Sequence, residues 1–239
     1  MISFNKKIIF IHIPRTAGSS IEELLNTYSE DTIIKEGSWA LNPSIEMREG
    51  ITALNLFDKP RGLAGYYKHL YASQFKHILK NKYDEFYKFT IVRHPIDKLF
   101  SMEFFDQASR ANIKNVEQLI DRCKNRIADY NANLNDVKQF KHNRWRMFLS
   151  DYIYDNENLI IDDVFRFENL KTDWKDICEK IDIPYKELPH INDKSKKIWF
   201  YADKSYSESF TNFLSIENIK FFEDFFHEEI EKLGYEFIT

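Results

Sequence analysis

Two segments of the sequence place an arginine and hydroxyl side chains directly after an apolar run. In the first, residues 8–13 are followed by Pro14, Arg15, Thr16, Ala17, Gly18, Ser19 and Ser20. In the second, residues 89–92 are followed by Arg93 and, eight positions later, by Ser101. Arginine forms paired, charge-assisted hydrogen bonds with phosphate, and hydroxyl and backbone N–H groups can add further bonds. The first anion segment (residues 14–20) and the second anion segment (residues 93–101) therefore each predict a phosphate site.

Each anion segment also has an interpretation that requires no ligand. Thr16, Ser19 and Ser20 are residue types that cap helices, and capping could be their whole purpose. Arg93 could instead be one partner of a structural ion pair. Residue types and spacing leave both interpretations open for either segment taken alone.

Both anion segments need a strand before them and a helix after them. Residues 8–13 are apolar on both alternating faces apart from His12, which is typical of a strand covered on both sides in a parallel sheet. After the first segment, helical spacing is shown by Ile21, Leu24, Leu25 and Tyr28. Such a helix would direct its N-terminal N–H groups and positive dipole end at the anion, and Gly18 would allow close backbone approach.

The second anion segment shows the same order of elements. Residues 89–92 are rich in β-forming side chains, and a helical pattern follows. Pro95 suits the first turn of that helix, where Asp97 would complement the dipole. Arg93 would leave the strand at its carboxyl end, where open α/β sheets bind their ligands.

Composition and length limit the class of protein. The 239 residues suit a single α/β domain over residues 1–239, with two small domains as the alternative. The net charge of −4, from 34 Lys and Arg against 38 Asp and Glu, does not favour a nucleic-acid partner. Cys123 and Cys178 lack metal-ligand spacing, which predicts a reducing compartment and no metal site. The first strand begins at Ile8 and no apolar run approaches about 18 residues, so we expect no signal peptide or transmembrane segment and a cytoplasmic location.

Taken together, the two anion segments resemble the phosphate-binding segments of the sulfotransferase superfamily. The likeness is to the carbohydrate branch (sulfotransferase family 2, heparan and chondroitin type), whose first motif reads approximately H-I-P-K-T-(A/G)-G-(T/S)-S. Residues 12–20 resemble the loop that holds the 5′-phosphosulfate of 3′-phosphoadenosine 5′-phosphosulfate (PAPS), and residues 92–101 resemble the segment that holds its 3′-phosphate. The resemblance continues in order through residues 68–73, 166–170, 188–192 and 233–235.

The resemblance implies a P-loop-like central parallel β-sheet with helices on both faces. It also implies in-line transfer of the sulfuryl group of PAPS to a carbohydrate hydroxyl, without a metal. Residues 14–20 would bind the 5′-phosphate, with Arg15 stabilising the leaving nucleotide. Arg93 and Ser101 would bind the 3′-phosphate, together with Ser195, Lys196 and Lys197 from the loop after Pro189. His69 would be the general base and contact the acceptor.

Two positions depart from the pattern of this family. Arg15 stands where a lysine is usual, and Lys68 replaces the glycine before the histidine. Arginine keeps the charge, but it cannot donate a proton near neutral pH. For His69 the alternative is a surface residue on a helix over residues 66–79.

Other polar residues have two interpretations each. Arg144, Trp145 and Arg146 could bind an acidic sugar, since tryptophan stacks on a pyranose and arginine pairs with carboxylate or sulfate, or they could form a solvated basic face. Residues 195–197 could equally be mobile surface residues. Three further histidines receive minor roles: packing or orientation for His12, packing or nucleotide contact for His94, and solvent exposure for His77.

Two alternative functions come from other classes. A P-loop kinase or NTPase would use a similar sheet, but the turn lacks G-x-x-x-x-G-K-[ST], since Arg15 precedes Gly18. The departures at Arg15 and Lys68 leave room for a catalytically weak nucleotide-binding protein. The presence of His69 argues against that second alternative.

Overall fold

A computed structural model of the chain describes residues 2–3, 6–27, 69–105, 113–132, 147–189 and 209–239. The strands in these ranges are β1 Ile2–Ser3, β2 Ile8–Ile11, β3 Tyr87–Val92, β4 Tyr154–Asp155, β5 Asn158–Leu159 and β6 Asp163–Arg166. The α-helices are α1 Gly18–Thr27, α2 Ala72–Leu79, α3 Pro95–Phe105, α4 Val116–Ala132, α5 Leu170–Lys180 and α6 Ile216–Lys232. Short 3-10 helices span Lys80–Glu85, Ser150–Tyr152, Phe167–Asn169 and Phe210–Phe213.

The central sheet has the strand order β1-β2-β3-β6. β2, β3 and β6 are parallel, with Ile11 opposite Thr90 and Val92 opposite Arg166. All four residues of β2 are buried, so both faces of this strand are covered, as its sequence predicts. The predicted α/β class with a parallel sheet flanked by helices is confirmed.

Two details of the sheet differ from the prediction. β1 adds an antiparallel edge strand, which is only two residues long and too short to give a periodic signal. β2 ends at Ile11, so His12 and Ile13 lie beyond the strand although the predicted strand covered residues 8–13. The end of β2 is reinforced from β3, because Thr90 Oγ1 donates to the Ile11 carbonyl at 2.7 Å.

The chain divides into two compact units. The first unit comprises Met1–Val92 with Ser150–Asn192, and the second comprises Arg93–Leu149 with Asp193–Thr239. The interpretation of residues 1–239 as one functional domain stays a prediction.

The first unit has a core in which α1 and α5 pack with β2 and β3. The apolar residues Ile21, Leu24 and Leu25 of α1 are buried there, as predicted. The side chains from α5 are Leu170, Trp174, Ile177 and Cys178. Burial raises the pKa of the Cys178 thiol to about 11. Cys178 is therefore a protonated core residue at neutral pH.

The second unit has its own core between α3, α4 and α6. The buried residues of α6 are the apolar side chains Ile219, Phe222, Phe226 and Ile230, together with Glu223 and Glu229. Cys123 of α4 is fully buried, and burial raises its pKa well above the usual thiol range. Within the described part of the chain, no helix is both long and apolar enough to cross a bilayer.

Candidate active site

The first anion segment is a tight turn between β2 and α1. Arg15 has φ 72° and Ala17 has φ 66°, so two non-glycine residues occupy the left-handed region, which is uncommon and costs energy. Thr16 lies between them, is fully buried, and donates its hydroxyl to the Ile13 carbonyl at 2.9 Å. The Thr16 hydroxyl therefore closes the turn.

The helix after this turn begins at Gly18, and the Ala17 carbonyl accepts from the N–H groups of Ser20 and Ile21. Helix geometry gives the N–H groups of Gly18 and Ser19 no carbonyl acceptor within α1. These two donors lie at the positive end of the helix dipole, which favours an anion. The side chains of Pro14, Arg15, Ser19 and Ser20 are all partly exposed at the same turn.

Gly18 is required by a neighbouring side chain. A Cβ atom at this position would lie 2.2 Å from both Cδ2 and Nε2 of His12, so the imidazole packs directly on the Gly18 backbone. The sequence predicted a close approach to this glycine and expected a ligand there. In the structure it is the His12 ring that makes the approach.

This contact predicts a cost for Gly18→Ala. Because the ring of His12 is buried and cannot retreat without displacing its neighbours, we expect a loss of about 1–3 kcal/mol in the free energy of unfolding, measured by urea denaturation. Ser19→Ala changes the next residue, which is only partly buried, and should cost less than about 0.5 kcal/mol. Equal stability of the Gly18→Ala variant and the unmodified protein would contradict the contact.

His12 is paired with a carboxylate on α1. Its Nδ1 lies 2.7 Å from Oε1 of Glu22, and the two residues are only 3% and 8% exposed. An ionised carboxylate can only accept, so the Nδ1–H of His12 is the donor. The orienting role predicted for His12 fits this contact, but the sequence analysis missed Glu22. Its signal is its position four residues after Gly18, on the same face of α1.

His69 contacts His12, which lies two residues before the first anion segment. Its Nδ1 is 3.0 Å from the main-chain carbonyl oxygen of His12, and the two imidazole rings meet edge to face with centroids 4.5 Å apart. A carbonyl oxygen can only accept, so Nδ1 of His69 carries the hydrogen. In the neutral ring the lone pair is then on Nε2.

The surroundings of His69 test its alternative interpretation. The helix proposed there over residues 66–79 begins only at Ala72, and a hydrogen bond of 2.8 Å from the Tyr71 N–H to Gln74 Oε1 caps it. His69 is therefore a half-buried turn residue and not part of a surface helix. His77, on α2 itself, is exposed as predicted.

The second anion segment begins directly after β3. α3 starts at Pro95 as predicted, Arg93 is only 3% exposed, and Ser101 is buried on the helix. The guanidinium of Arg93 lies 5.9 Å from the centre of the Phe210 ring. His94 packs edge to face on Tyr235, with ring centroids 5.2 Å apart.

Asp97 does more than the predicted complement to the helix dipole. Its Oδ1 accepts from the Phe210 N–H at 2.6 Å and from the Ser209 hydroxyl at 3.0 Å, and thus joins α3 to a distant part of the chain. Burial raises the pKa of Asp97, while the nearby charge of Arg93 lowers it by a smaller amount. Arg93 is thus near enough to influence Asp97 electrostatically, and the choice between a structural ion pair and a phosphate contact stays a prediction.

The remaining predicted site residues lie outside the described ranges. They are Arg144, Trp145, Arg146, Ser195, Lys196 and Lys197. In the first unit the structure brings together His12, Glu22, Gly18 and His69. Arg93, Asp97 and Ser101 belong to the second unit. Binding of one nucleotide by both anion segments stays a prediction.

The family model described as "Sulfotransferase family" matches residues 1–236, nearly the whole chain. The chain belongs to the sulfotransferase family. No curated protein and no solved structure matches the chain significantly.

Family membership confirms the resemblance inferred from the motifs and supports sulfotransfer as the activity. Both anion segments and His69 lie within the matched residues of this sulfotransferase. Among the described residues, no group of three or more His, Cys, Asp or Glu side chains is placed to hold a metal ion.

Proposed function

We propose that this sulfotransferase moves the sulfuryl group of PAPS to a hydroxyl of a carbohydrate acceptor, with His69 as the general base. The observation that carries the proposal is the 3.0 Å contact between Nδ1 of His69 and the His12 carbonyl. Because Nδ1 carries the hydrogen, the lone pair of the neutral ring is on Nε2. This half-buried imidazole lies beside a turn suited to an anion.

The reaction is an in-line displacement at sulfur. The acceptor hydroxyl gives its proton to Nε2 of His69 while its oxygen bonds to sulfur, and the bond from sulfur to the phosphate oxygen of the nucleotide breaks. An imidazole with an ordinary pKa of about 6.5 is suited to accept this proton near neutrality. The departing 3′-phosphoadenosine 5′-phosphate (PAP) takes the bonding electrons, so the protein must stabilise negative charge at the opposite end of the site.

Charge on the leaving phosphate would be stabilised by the first anion segment. Arg15 would supply a permanent positive charge with planar paired donors, and the N–H groups of Gly18 and Ser19 would add backbone hydrogen bonds. The side chains or backbone of Pro14, Thr16, Ala17 and Ser20 would complete the enclosure. Because arginine stays protonated near neutral pH, Arg15 acts by electrostatics and not as a proton donor.

The 3′-phosphate would be bound by the second anion segment. Arg93 would contact it from the position directly after β3 and Ser101 from α3. Ser195, Lys196 and Lys197 would contribute from their own loop. Two separate phosphate contacts would distinguish PAPS from nucleotides that carry no 3′-phosphate. The proposal requires no metal ion, because cationic side chains take over charge neutralisation.

The acceptor side would include Arg144, Trp145 and Arg146. Tryptophan offers a face for a sugar ring, and the flanking arginines would favour an acceptor that carries carboxylate or sulfate groups. We propose a polysaccharide or glycoconjugate as the acceptor and a cytoplasmic place of action.

Two measurements test the function. Calorimetry should show that PAP binds without Mg²⁺ and that Mg-ATP binds far more weakly; the opposite preference would favour the kinase or NTPase alternative. Labelled PAPS offered with a panel of acidic and neutral polysaccharides should label at least one of them. PAP binding without transfer to any acceptor would favour a binding protein that lacks turnover.

A further inference from the structure

We infer that Glu22 is a positioning residue that sets the orientation and the tautomer of His69 through His12. The inference rests on the proposed role of His69 as the base. It concerns a residue on α1, four positions after Gly18, whose carboxylate is bonded to His12.

The first step is the pair of Glu22 and His12. A carboxylate and an imidazole 2.7 Å apart, both almost fully buried, form a strong hydrogen bond that water does not weaken. Burying a carboxylate costs free energy. The Glu22 carboxylate also lies on α1, the helix whose N-terminus faces the proposed anion site. A negative charge there works against anion binding, so nucleotide affinity does not explain it.

The second step is the confinement of His12. Its ring has the Gly18 backbone on one side, where not even a Cβ atom would fit, and stacks with the ring of Phe10 at a centroid distance of 5.9 Å. The preceding carbonyl, of Ile11, is held by Thr90. With the ring bonded to Glu22 and the backbone held from β3, the carbonyl of His12 has little freedom of direction.

The orientation of His69 depends on the orientation of the His12 carbonyl. Its Nδ1–H donates to that same His12 carbonyl, so the direction of the carbonyl decides the tilt of the His69 ring. The bond also decides which nitrogen keeps the lone pair, and a ring with hydrogen on Nε2 could not accept a proton from the acceptor. Glu22 thereby maintains the active form of the base without touching the substrate.

Three variants test the inference. Glu22→Leu removes the acceptor of the His12 bond, whereas Glu22→Gln keeps an oxygen acceptor and removes only the charge. The matched control is Glu23→Leu, since Glu23 is the neighbouring residue on α1 and is exposed. Each variant is measured for kcat with labelled PAPS, for PAP affinity by calorimetry, and for histidine tautomers by two-bond proton–nitrogen NMR.

We expect Glu22→Leu to lower kcat on the order of 10- to 100-fold, because small misplacements of a reacting group have effects of this size. PAP affinity should stay the same or rise, and the NMR signal of Nδ1-protonated His69 should weaken. Glu22→Gln should restore most of kcat, and Glu23→Leu should behave like the unmodified protein. A kcat equally low in Glu22→Gln, or a loss confined to PAP affinity, would overturn the inference.

Failure of the proposed function would be distinguishable from failure of this inference. If no acceptor is ever labelled, the tautomer of His69 still decides: an Nδ1–H signal that persists unchanged in Glu22→Leu overturns the inference. If Glu22→Leu does not fold, Glu22→Asp takes its place, since it withdraws the carboxylate by one methylene. A Glu22→Asp variant with full kcat and an unchanged His69 tautomer would likewise overturn it.

Discussion

Replacing His69 with alanine should lower kcat for sulfuryl transfer by about 10²- to 10⁴-fold, the usual contribution of a general base. The methyl group of alanine cannot accept the proton of the acceptor hydroxyl. PAP affinity should be nearly unchanged, because the donors of the first anion segment belong to other residues. Labelled-sulfate transfer measures the first effect and calorimetry the second.

The matched control for this variant is His77→Ala. His77 is on α2, eight residues further along the chain, and its side chain is exposed, so its removal should change neither kcat nor PAP affinity. Full turnover by His69→Ala would exclude His69 as the base. A loss of PAP affinity in place of turnover would assign His69 to nucleotide binding instead.

Replacing Arg93 with alanine should weaken PAP binding by about 2–4 kcal/mol, or roughly 30- to 1,000-fold in Kd. The reason is the loss of paired, charge-assisted hydrogen bonds to the 3′-phosphate in a nearly buried place. Ser101→Ala removes a single neutral donor and should cost only about 1 kcal/mol. Calorimetry with PAP gives both values, and circular dichroism shows whether each variant is folded.

Lys124→Ala is the control for Arg93→Ala, since it removes a cation of the same unit that lies 5.1 Å from the centre of the Phe221 ring. It should leave PAP affinity unchanged. If a folded Arg93→Ala variant binds PAP as well as the unmodified protein, the ion-pair interpretation is correct. Arg93 would then serve Asp97, whose carboxylate already joins α3 to Phe210.

The sequence alone predicted the strand before the first anion segment, the helix after it and the start of α3 at Pro95. It could do so because these features are local. Alternation or helical spacing of apolar side chains reports burial over a few residues, and the fixed φ of proline favours the first turn of a helix. The family was recognisable for the same reason, since its motifs are short runs in a definite order.

Only the tertiary structure decided which groups meet. His12 and His69 are 57 residues apart and Asp97 and Phe210 are 113 residues apart, and no periodicity links such positions. The reason that Gly18 must be glycine is likewise a packing fact, because the atoms it would strike belong to His12. Spacing along a chain encodes the conformation of neighbours, whereas contacts across the fold depend on how whole elements pack. The sequence thus predicted an anion-binding turn between β2 and α1, and packing determined that His12 and His69 meet beside that turn.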